Sequence, residues 1–239
     1  MKTKYKIFFA RILSFVITLF ISKNQNVKRN KISWSLNLKE GIDLSIFLFG
    51  SSERKILNLK KLLNIKSKLF FLDIGANIGS VSLPLAKLFY NSKVYSFEPT
   101  HYAFKKLKKN LSLNKDLQNK ICLNQLFVSN EKKPKKVWSS WNLEGKSNHH
   151  KSHRGKLKSI KINSYISLDN FVKVNQIKKI DFIKIDVDGY ELDVLRSGSK
   201  FFKKNKPIIF IEIAPYLYKE FGYNFSDLIK YIKKYNYNF

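Results

Sequence analysis

The feature that most constrains this chain is a glycine-rich loop between a buried strand and a helix. Residues 69–74 form a short apolar run with one acid near its end, which is typical of a parallel strand buried on both faces. The run leads into Asp73-Ile-Gly-Ala-Asn-Ile-Gly79, and helical spacing follows over residues 80–89. Such a strand–loop–helix unit predicts an α/β sheet with a ligand site beyond the carboxyl end of the strand.

Strand-like and helix-like segments continue to alternate after this loop. Strands are predicted over residues 93–98, 121–128, 180–187 and 207–213, and helices over 102–113, 167–172, from 191 onward and over 226–235. This alternation predicts a mainly parallel sheet covered by helices. Outside this series, residues 32–49 are predicted as a strand or hairpin, residues 53–66 as a helix, and residues 237–239 as the start of one more strand.

The chemistry of the loop indicates what it binds. Gly75 and Gly79 have the spacing G-x-x-x-G, which differs from the G-x-G-x-x-G of dinucleotide-binding loops. Asp73 would repel a pyrophosphate, which prefers helix N–H groups without a neighbouring anion. The same carboxylate suits the ammonium group of a methionine moiety, directly or through water. The plain alternative is an ordinary glycine-rich turn without a ligand.

A second acid is expected at the same edge of the sheet. Glu98 ends the next strand, 25 residues after Asp73. An acid at this place can accept hydrogen bonds from ribose hydroxyls, as the acid that follows a dinucleotide-binding loop does. The alternative is a surface or helix-capping acid before Pro99. The loop and Glu98 together therefore predict a nucleoside-containing ligand.

A third cluster follows a later strand and contains Asp186, Asp188 and Glu191. At the carboxyl end of the sheet these acids could orient an acceptor hydroxyl or take its proton. Two alternatives remain: acids that stabilise a helix N-terminus, for which Glu191 is the best candidate, and acids that hold a divalent metal. A calcium loop is disfavoured, because Gly189 falls at the fourth position rather than the sixth. No metal ligand is assigned among these acids, and a divalent metal stays an open alternative.

Composition restricts the partners. The net charge is +29, but only five of the 46 basic residues are Arg, the side chain best suited to read bases and phosphates. Nucleic acid is therefore not expected as a partner. Cys122 is the sole cysteine, which excludes an intrachain disulfide and suits a reducing cytoplasm. His149, His150 and His153 are interpreted as solvated residues of a polar insertion over residues 130–158.

The N-terminus is predicted to be a separate segment, residues 1–31, followed by one domain over residues 32–239. Residues 7–21 are apolar between basic flanks, but 15 residues are too few for a comfortable membrane-spanning helix. Contact with a membrane surface and packing on the protein's own body are equally favoured, ahead of an inserted anchor or signal. The expected location is the cytoplasm. Contact of this segment with a membrane surface would add a peripheral position on the inner face of the membrane.

Taken together, the motifs resemble those of a known family. The chain is similar to the FkbM-type methyltransferases in FLDIGANIGSVS (71–82), VYSFEP (94–99), ISLDNF (166–171), DFIKIDVDGYELDVLRSG (181–198) and PIIFIEI (207–213), and in GIDLSIFLFGSSE (41–53) before them. The resemblance covers about residues 34–239. It implies a Rossmann-like class I methyltransferase sheet and transfer of a methyl group from S-adenosylmethionine to oxygen, commonly on a sugar or glycan hydroxyl.

The resemblance also implies roles for individual residues. It places donor binding on Asp73, Gly75, Asn77, Gly79 and Glu98, with Ala76 in the same loop, and the acidic active-site segment on Asp186, Gly189 and Glu191. Two departures are visible. Asp188 stands where Glu is more usual, and the chain ends where the pattern would continue into the final strands. An incomplete sheet with an exposed edge is therefore expected.

Two other functions are compatible with the sequence. The positive charge suggests a nucleic-acid methyltransferase, but Ala214-Pro215-Tyr216 follows the wrong strand and lacks the preceding amide or acid of the amino-methylating DNA enzymes. The other alternative is a non-catalytic basic binding module on a methyltransferase scaffold. Acceptor contacts are expected from residues 130–158 and from the N-terminal segment.

Overall fold

The computed structural model describes residues 3–130, 136–141, 143, 155–159 and 165–238. The strands are β1 (Asn24–Arg29), β2 (Ile32–Asn37), β3 (Leu69–Ile74), β4 (Ser92–Phe97), β5 (Ile121–Asn124), β6 (Phe127–Val128), β7 (Lys136–Trp141), β8 (Gly155–Ser159), β9 (Tyr165–Ile166), β10 (Phe182–Ile185) and β11 (Ile208–Ile211). The α-helices are α1 (Thr3–Phe20), α2 (Gly41–Phe49), α3 (Ser82–Leu88), α4 (His101–Ser112), α5 (Lys115–Gln118), α6 (Leu168–Val174), α7 (Glu191–Ser197), α8 (Ser199–Lys204), α9 (Pro215–Tyr218) and α10 (Phe225–Lys233). Short 3₁₀ helices cover Arg54–Lys61 and Lys219–Phe221.

The central sheet has the strand order β11–β10–β3–β4–β5, and all of its pairings are parallel. Successive residues of a strand point to opposite faces, so the apolar strands feed two cores. Phe71 lies in the core shared with β2, α3 and α4, whereas Leu72 lies in the core shared with α6, α7 and α10. The predicted Rossmann-like α/β sheet is thereby confirmed, with the loop-bearing strand β3 at its centre.

The segment before the sheet differs from the sequence prediction. β2 pairs with β1 in an antiparallel hairpin, but Gly41–Phe49 is a helix rather than a strand. Its run of apolar residues has no clear period, and the helix ends at Gly50 in the left-handed region with φ of 76°. The hairpin turn lies at Asn30 and Lys31. Strand pairing therefore crosses the predicted boundary between residues 1–31 and 32–239.

Several later elements differ from the sequence prediction in type or in their boundaries. The predicted helix over residues 53–66 is the 3₁₀ helix Arg54–Lys61. The predicted strand 121–128 divides, because only β5 joins the central sheet while β6 pairs with β9. Tyr237 is not in a strand; its ring lies 6.5 Å from that of Phe202. Phe239, the last residue of the expected strand 237–239, is outside the described residues.

β11 forms one edge of the central sheet. Among the described residues, β10 is the one strand that pairs with it. Its four residues are half-buried, and their apolar side chains pack alternately against the two cores. The faces of this strand are therefore covered, whereas its outer backbone edge has no strand partner in that part of the chain.

Helix α1 packs on the body of the protein along one side. Ile7 and Ser14 are buried, and the Ser14 hydroxyl donates a hydrogen bond of 2.8 Å to the carbonyl of Leu38. Ala10 and Ile17 continue the same side against Leu38. In the part of the chain that the structure describes, no helix is both long and apolar enough to cross a membrane.

Two asparagines connect the hairpin to the central layers. The Asn110 side chain is fully buried; it accepts a hydrogen bond from the Ser35 N–H (2.8 Å) and donates one to the carbonyl of Ile78 (3.0 Å). Asn114 accepts from the N–H of Ser33 and donates to its carbonyl. The two amides thus take the place of a neighbouring strand along β2. Because Ile78 belongs to the glycine-rich loop, Asn110 also ties the hairpin to that loop.

We expect Asn110→Ala to lower the free energy of unfolding by about 2–4 kcal/mol, because the Ser35 N–H and the Ile78 carbonyl lose their partner in a buried place. Chemical denaturation measures this change. Asn26→Ala is the matched control: Asn26 is exposed on β1, and its replacement should change stability by less than about 0.5 kcal/mol. Equal unfolding midpoints for the two variants would contradict the structural role of Asn110.

Candidate active site

A cavity of about 480 Å³ lies at the carboxyl ends of β3, β4 and β10. Its volume is within the range of small-molecule sites in proteins. Apolar surface comes from Phe97, Leu126, Phe127 and Val128, among others. Its charged lining residues are the acids Glu53, Glu98, Asp186, Asp188 and Glu212 and the bases Lys6 and Lys184. The wall is therefore acidic although the chain as a whole is strongly basic.

The glycine-rich loop closes one end of this cavity. Gly75 has φ of 83°, and the N–H groups of Gly75 and Ala76 both donate to the carbonyl of Phe97 (3.0 and 2.8 Å). A Cβ atom on Gly75 would lie 1.8 Å from the Asp186 carbonyl oxygen. Glycine is thus required here because two backbone segments approach closely. A side chain at Gly79 would meet Leu83 at 2.3 Å, so this glycine lets the loop pack on α3.

Lys184 is buried beneath the loop and joins three groups. Its ammonium nitrogen donates to the Gly75 carbonyl at 2.7 Å, and it lies 3.1 Å from Asp186 Oδ2 and 3.6 Å from Asp73 Oδ1. Burial by itself lowers the pKa of Lys184, but the charges of Asp186 and Asp73 outweigh burial and hold this pKa above its usual value. The side chain is therefore a fixed cation at neutral pH.

Asp73 does not border the cavity. It lies beside Lys184 in the register of the sheet, is fully buried, and accepts a hydrogen bond from the Ser82 hydroxyl. Ser96, in the same row on β4, has its hydroxyl 2.7 Å from that of Ser82. Burial raises the pKa of Asp73, and the charge of Lys184 opposes that rise. The Asp73 carboxylate can therefore influence the cavity only indirectly, through the ammonium of Lys184 and the glycine-rich loop.

Glu98 borders the cavity from the end of β4. Its Oε2 accepts from the Asn77 N–H at 3.0 Å, and its Oε1 accepts from the N–H and hydroxyl of Thr100 at 2.9 and 2.6 Å. Burial raises the pKa of Glu98, while these three hydrogen bonds oppose the rise. A carboxylate oxygen can accept two hydrogen bonds, so Oε2 keeps capacity for one ligand hydroxyl. Asn77, with φ of 50°, turns its N–H toward this carboxylate.

Asp186, Asp188 and Glu212 form another part of the cavity wall. Asp186 and Asp188 follow β10, and Glu212 follows the neighbouring β11. The charge of Asp186, followed by burial, raises the pKa of Glu212 to about 8. Glu212 therefore keeps its proton at neutral pH, whereas the Asp186 carboxylate faces the cation of Lys184. This arrangement places the protonated Glu212 close to the Asp186–Lys184 pair on the cavity wall.

Glu191 turns away from the cavity, although it is near Asp186 in sequence. It is buried, its Oε1 accepts from the Gly189 N–H at 3.0 Å, and its Oε2 lies 3.1 Å from the Tyr223 hydroxyl. Burial raises its pKa to about 7. The backbone turns between the acids, with φ of 50° at Asp188 and 106° at Gly189. The geometry favours the alternative role, in which Glu191 stabilises the start of α7, over contact with an acceptor.

The residues predicted from the sequence thus divide into two sets. Gly75, Asn77, Glu98, Asp186 and Asp188 border the cavity, whereas Asp73, Ala76, Gly79 and Glu191 support it from within the protein. Among the described residues, no group of three or more His, Cys, Asp or Glu side chains could hold a metal ion.

Sequence reasoning missed several residues of the wall. Lys184 carried a signal, because a lysine in a buried apolar strand needs acids around it. Glu212 lies near the end of the predicted strand 207–213 and Tyr216 follows it, but neither was singled out as a site residue. Lys6 reaches the cavity from α1, which agrees with the expected contribution of the N-terminal segment. Of the polar insertion, Val137 lines the cavity, and His149, His150 and His153 lie outside the described residues.

Sequence comparisons place this architecture among known proteins. A protein-family model described as the Methyltransferase FkbM domain matches residues 73–239. Methyltransferase sdnD of Sordaria araneosa is 28% identical over 160 residues, and the match covers 56% of this chain and 61% of that protein. The chain thus spans less than two thirds of the length of this relative.

Solved structures share the fold at low sequence identity. The METTL16 MTase domain aligns with a TM-score of 0.50 and 13% identity over 96% of this chain and 71% of that chain. A precorrin-6y C5,15-methyltransferase from Geobacter metallireducens GS-15 aligns with a TM-score of 0.45 and 13% identity over 77% and 70%. The first of these supports the fold alone. The expected family and its donor, S-adenosylmethionine, are confirmed. The family model matches more than half of the residues of this chain, so the chain belongs to the FkbM methyltransferase domain family.

Proposed function

We propose that this protein transfers a methyl group from S-adenosylmethionine to a hydroxyl group of a sugar or glycan. One observation carries the proposal: a single cavity is bordered by the glycine-rich loop, by Glu98 and by the acids Asp186, Asp188 and Glu212. The loop and Glu98 suit a nucleoside, and the other three acids suit a hydroxyl that must lose its proton.

The loop and Glu98 fit the donor chemically. Glu98 has one free acceptor position for a ribose hydroxyl, and its carboxylate is held in place by Asn77 and Thr100. Leu126 and Val128 offer apolar surface for a base. The acidic wall suits the positive charges of the methionine end, its ammonium and its sulfonium.

S-adenosylmethionine supplies a methyl group bonded to a positively charged sulfur, and the protein's share is alignment and proton removal. The acceptor oxygen bonds to the methyl carbon as the carbon–sulfur bond breaks, and the hydroxyl proton must leave. The Asp186 carboxylate can accept this proton as the bond forms, because it borders the cavity and the ammonium of Lys184, 3.1 Å away, holds it in place. Alignment of the reacting atoms provides the rest of the acceleration.

The character of the wall supports a neutral, hydroxyl-rich acceptor. Near the acids, Ser45, Ser52 and Tyr216 add hydroxyl groups that can bond a saccharide. Even with Glu212 protonated, the other four acids outnumber the two lysines of the wall and would repel a phosphate backbone, which is recognised through positive charge. This charge balance favours the sugar over the nucleic-acid alternative, despite the net charge of +29.

A panel assay tests the function directly. The protein is incubated with methyl-labelled S-adenosylmethionine and separate acceptors: sugars, glycolipids and RNA. We expect label on a saccharide hydroxyl and none on RNA. Label on RNA alone would favour the nucleic-acid alternative, and the absence of donor binding in calorimetry would favour the non-catalytic module.

For the donor site, we expect Glu98→Ala to weaken S-adenosylmethionine binding about 10- to 150-fold, or roughly 1.5–3 kcal/mol, the scale of charge-assisted hydrogen bonds. Titration calorimetry measures the affinity. Asp116→Ala is the control, because Asp116 is an exposed acid that pairs with Lys87 away from the cavity. Unchanged affinity in Glu98→Ala would remove this residue from the donor site.

For catalysis, we expect Asp186→Asn to lower kcat by about 10²–10⁴-fold, because the amide keeps the shape but cannot accept the proton. Donor affinity should stay within about threefold, or roughly 0.6 kcal/mol. Glu191→Gln is the matched comparison and should retain kcat, because Glu191 does not border the cavity. A normal kcat in Asp186→Asn would mean that catalysis rests on alignment alone.

The buried Glu191 also predicts a pH dependence of stability. Its pKa is about 7 in the folded protein against 4.5 as the ordinary value, so the unfolded chain releases this proton first. Stability is therefore lost as pH rises from about 4.5 to about 7, by an amount on the order of 3 kcal/mol. Glu191→Gln should not show this loss, so its free energy of unfolding relative to that of the wild type should rise over the same pH range. Urea denaturation at several pH values measures this difference. Parallel stability curves for the two proteins would contradict a raised pKa.

A further inference from the structure

The outward side of α1 carries nine of the 21 exposed large hydrophobic residues in the part of the chain that the structure describes. Nine large side chains of this helix are between 45% and 82% exposed: Tyr5, Phe8, Phe9, Ile12, Leu13, Phe15, Val16, Leu19 and Phe20. At 100° per residue they fill one continuous arc, opposite the side that packs on Leu38. An exposed patch of this kind marks an interaction surface.

The charges around this helix identify the chemistry of the partner. The first 39 residues contain nine Lys or Arg residues and no acid; Glu40 is the first acid in the chain. Arg11 is exposed on the helix, Lys23 is exposed just after its end, and Lys28 and Lys31 are exposed on the following hairpin. An exposed apolar helix side bordered by cations complements a surface with an apolar interior and anionic groups at its boundary with water.

We propose that α1 docks the protein on an anionic lipid bilayer, with its outward side lying in the plane of the headgroup–acyl boundary. The helix is 18 residues and about 27 Å long, and such a helix buries its apolar face about 5–10 Å into the interface. The neighbouring lysines and arginines then contact anionic headgroups, each adding to the attraction.

A second copy of the chain fits this surface less well. Pairing two α1 helices would bring together two N-terminal segments that each carry nine basic residues and no acid. Like charges at such close range oppose association, whereas anionic lipid neutralises them. Charge complementarity therefore selects the bilayer over a dimer.

Docking through α1 would also set the position of the cavity relative to the bilayer. Lys6 belongs to α1 and lines the cavity together with Gly41, Ile42 and Ser45. The cavity wall is therefore one side chain away from the docked helix. A bilayer-bound protein holds its cavity next to the headgroup layer.

Vesicle sedimentation of the full chain tests the proposal. Vesicles are phosphatidylcholine alone or phosphatidylcholine mixed with phosphatidylserine. We expect binding to the mixed vesicles that exceeds binding to the neutral ones at least tenfold and that falls as salt is raised. Equal binding to both kinds of vesicle, or binding to neither, would overturn the proposal.

A triple variant isolates the helix surface. Phe8→Gln, Phe15→Gln and Leu19→Gln together should reduce binding to the mixed vesicles at least tenfold, because three membrane-facing side chains become polar. The matched control replaces three similarly exposed apolar residues away from α1: Leu62→Gln, Tyr90→Gln and Val174→Gln. The control should bind like the wild type. Equal binding by the two triple variants would overturn the assignment of the surface.

Hydrogen–deuterium exchange on the unmodified chain provides a readout that does not depend on folding of a variant. We expect the amides of α1 to exchange more slowly when mixed vesicles are present. Unchanged exchange in α1 would contradict docking through this helix. A concentration-dependent dimer in sedimentation equilibrium that the α1 triple variant abolishes would instead make a second copy the occupant.

Discussion

The contact of the buried Lys184 ammonium with its three partners is the interaction on which the cavity end of the sheet depends. Removing a cation from water costs several kcal/mol unless close partners compensate. Here the compensation comes from Asp73 on β3, from Asp186 beyond β10 and from the carbonyl of Gly75. These partners lie in two segments more than 100 residues apart in sequence. One cation therefore fixes the glycine-rich loop and the acidic wall relative to each other, and neither can move without exposing the charge or leaving it unpaired.

The sequence predicted the fold and the edge of the sheet where the cavity lies. It could do so because strand periodicity, the glycines of the loop and an acid at a strand end are local features that leave a local signal. Gly75 illustrates the limit of such reasoning: the sequence identified the residue, but its requirement comes from the Asp186 carbonyl, a long-range contact. The same holds for Asp73, which was expected at the ligand and is instead buried against Lys184 and Ser82.

Two further differences arise from backbone geometry that residue types alone do not determine. Asp186 and Glu191 were grouped as one acidic cluster, but the left-handed turn at Asp188 and Gly189 sends one carboxylate to the cavity and the other into the core. The apolar run in Gly41–Phe49 gave no period from which to choose between strand and helix. Its helical state depends on packing against β2 and on the cap at Gly50.

The acidic cavity inside a chain of net charge +29 has a consequence for ionic strength. At long range, the positive chain repels a cationic ligand, and salt screens this repulsion over a Debye length of about 8 Å at physiological ionic strength. At short range, the cavity acids attract the same ligand, and salt weakens that partly buried attraction much less. Added salt should therefore speed the entry of a cationic ligand into this site, the reverse of the usual behaviour when a charged ligand approaches a protein of opposite charge.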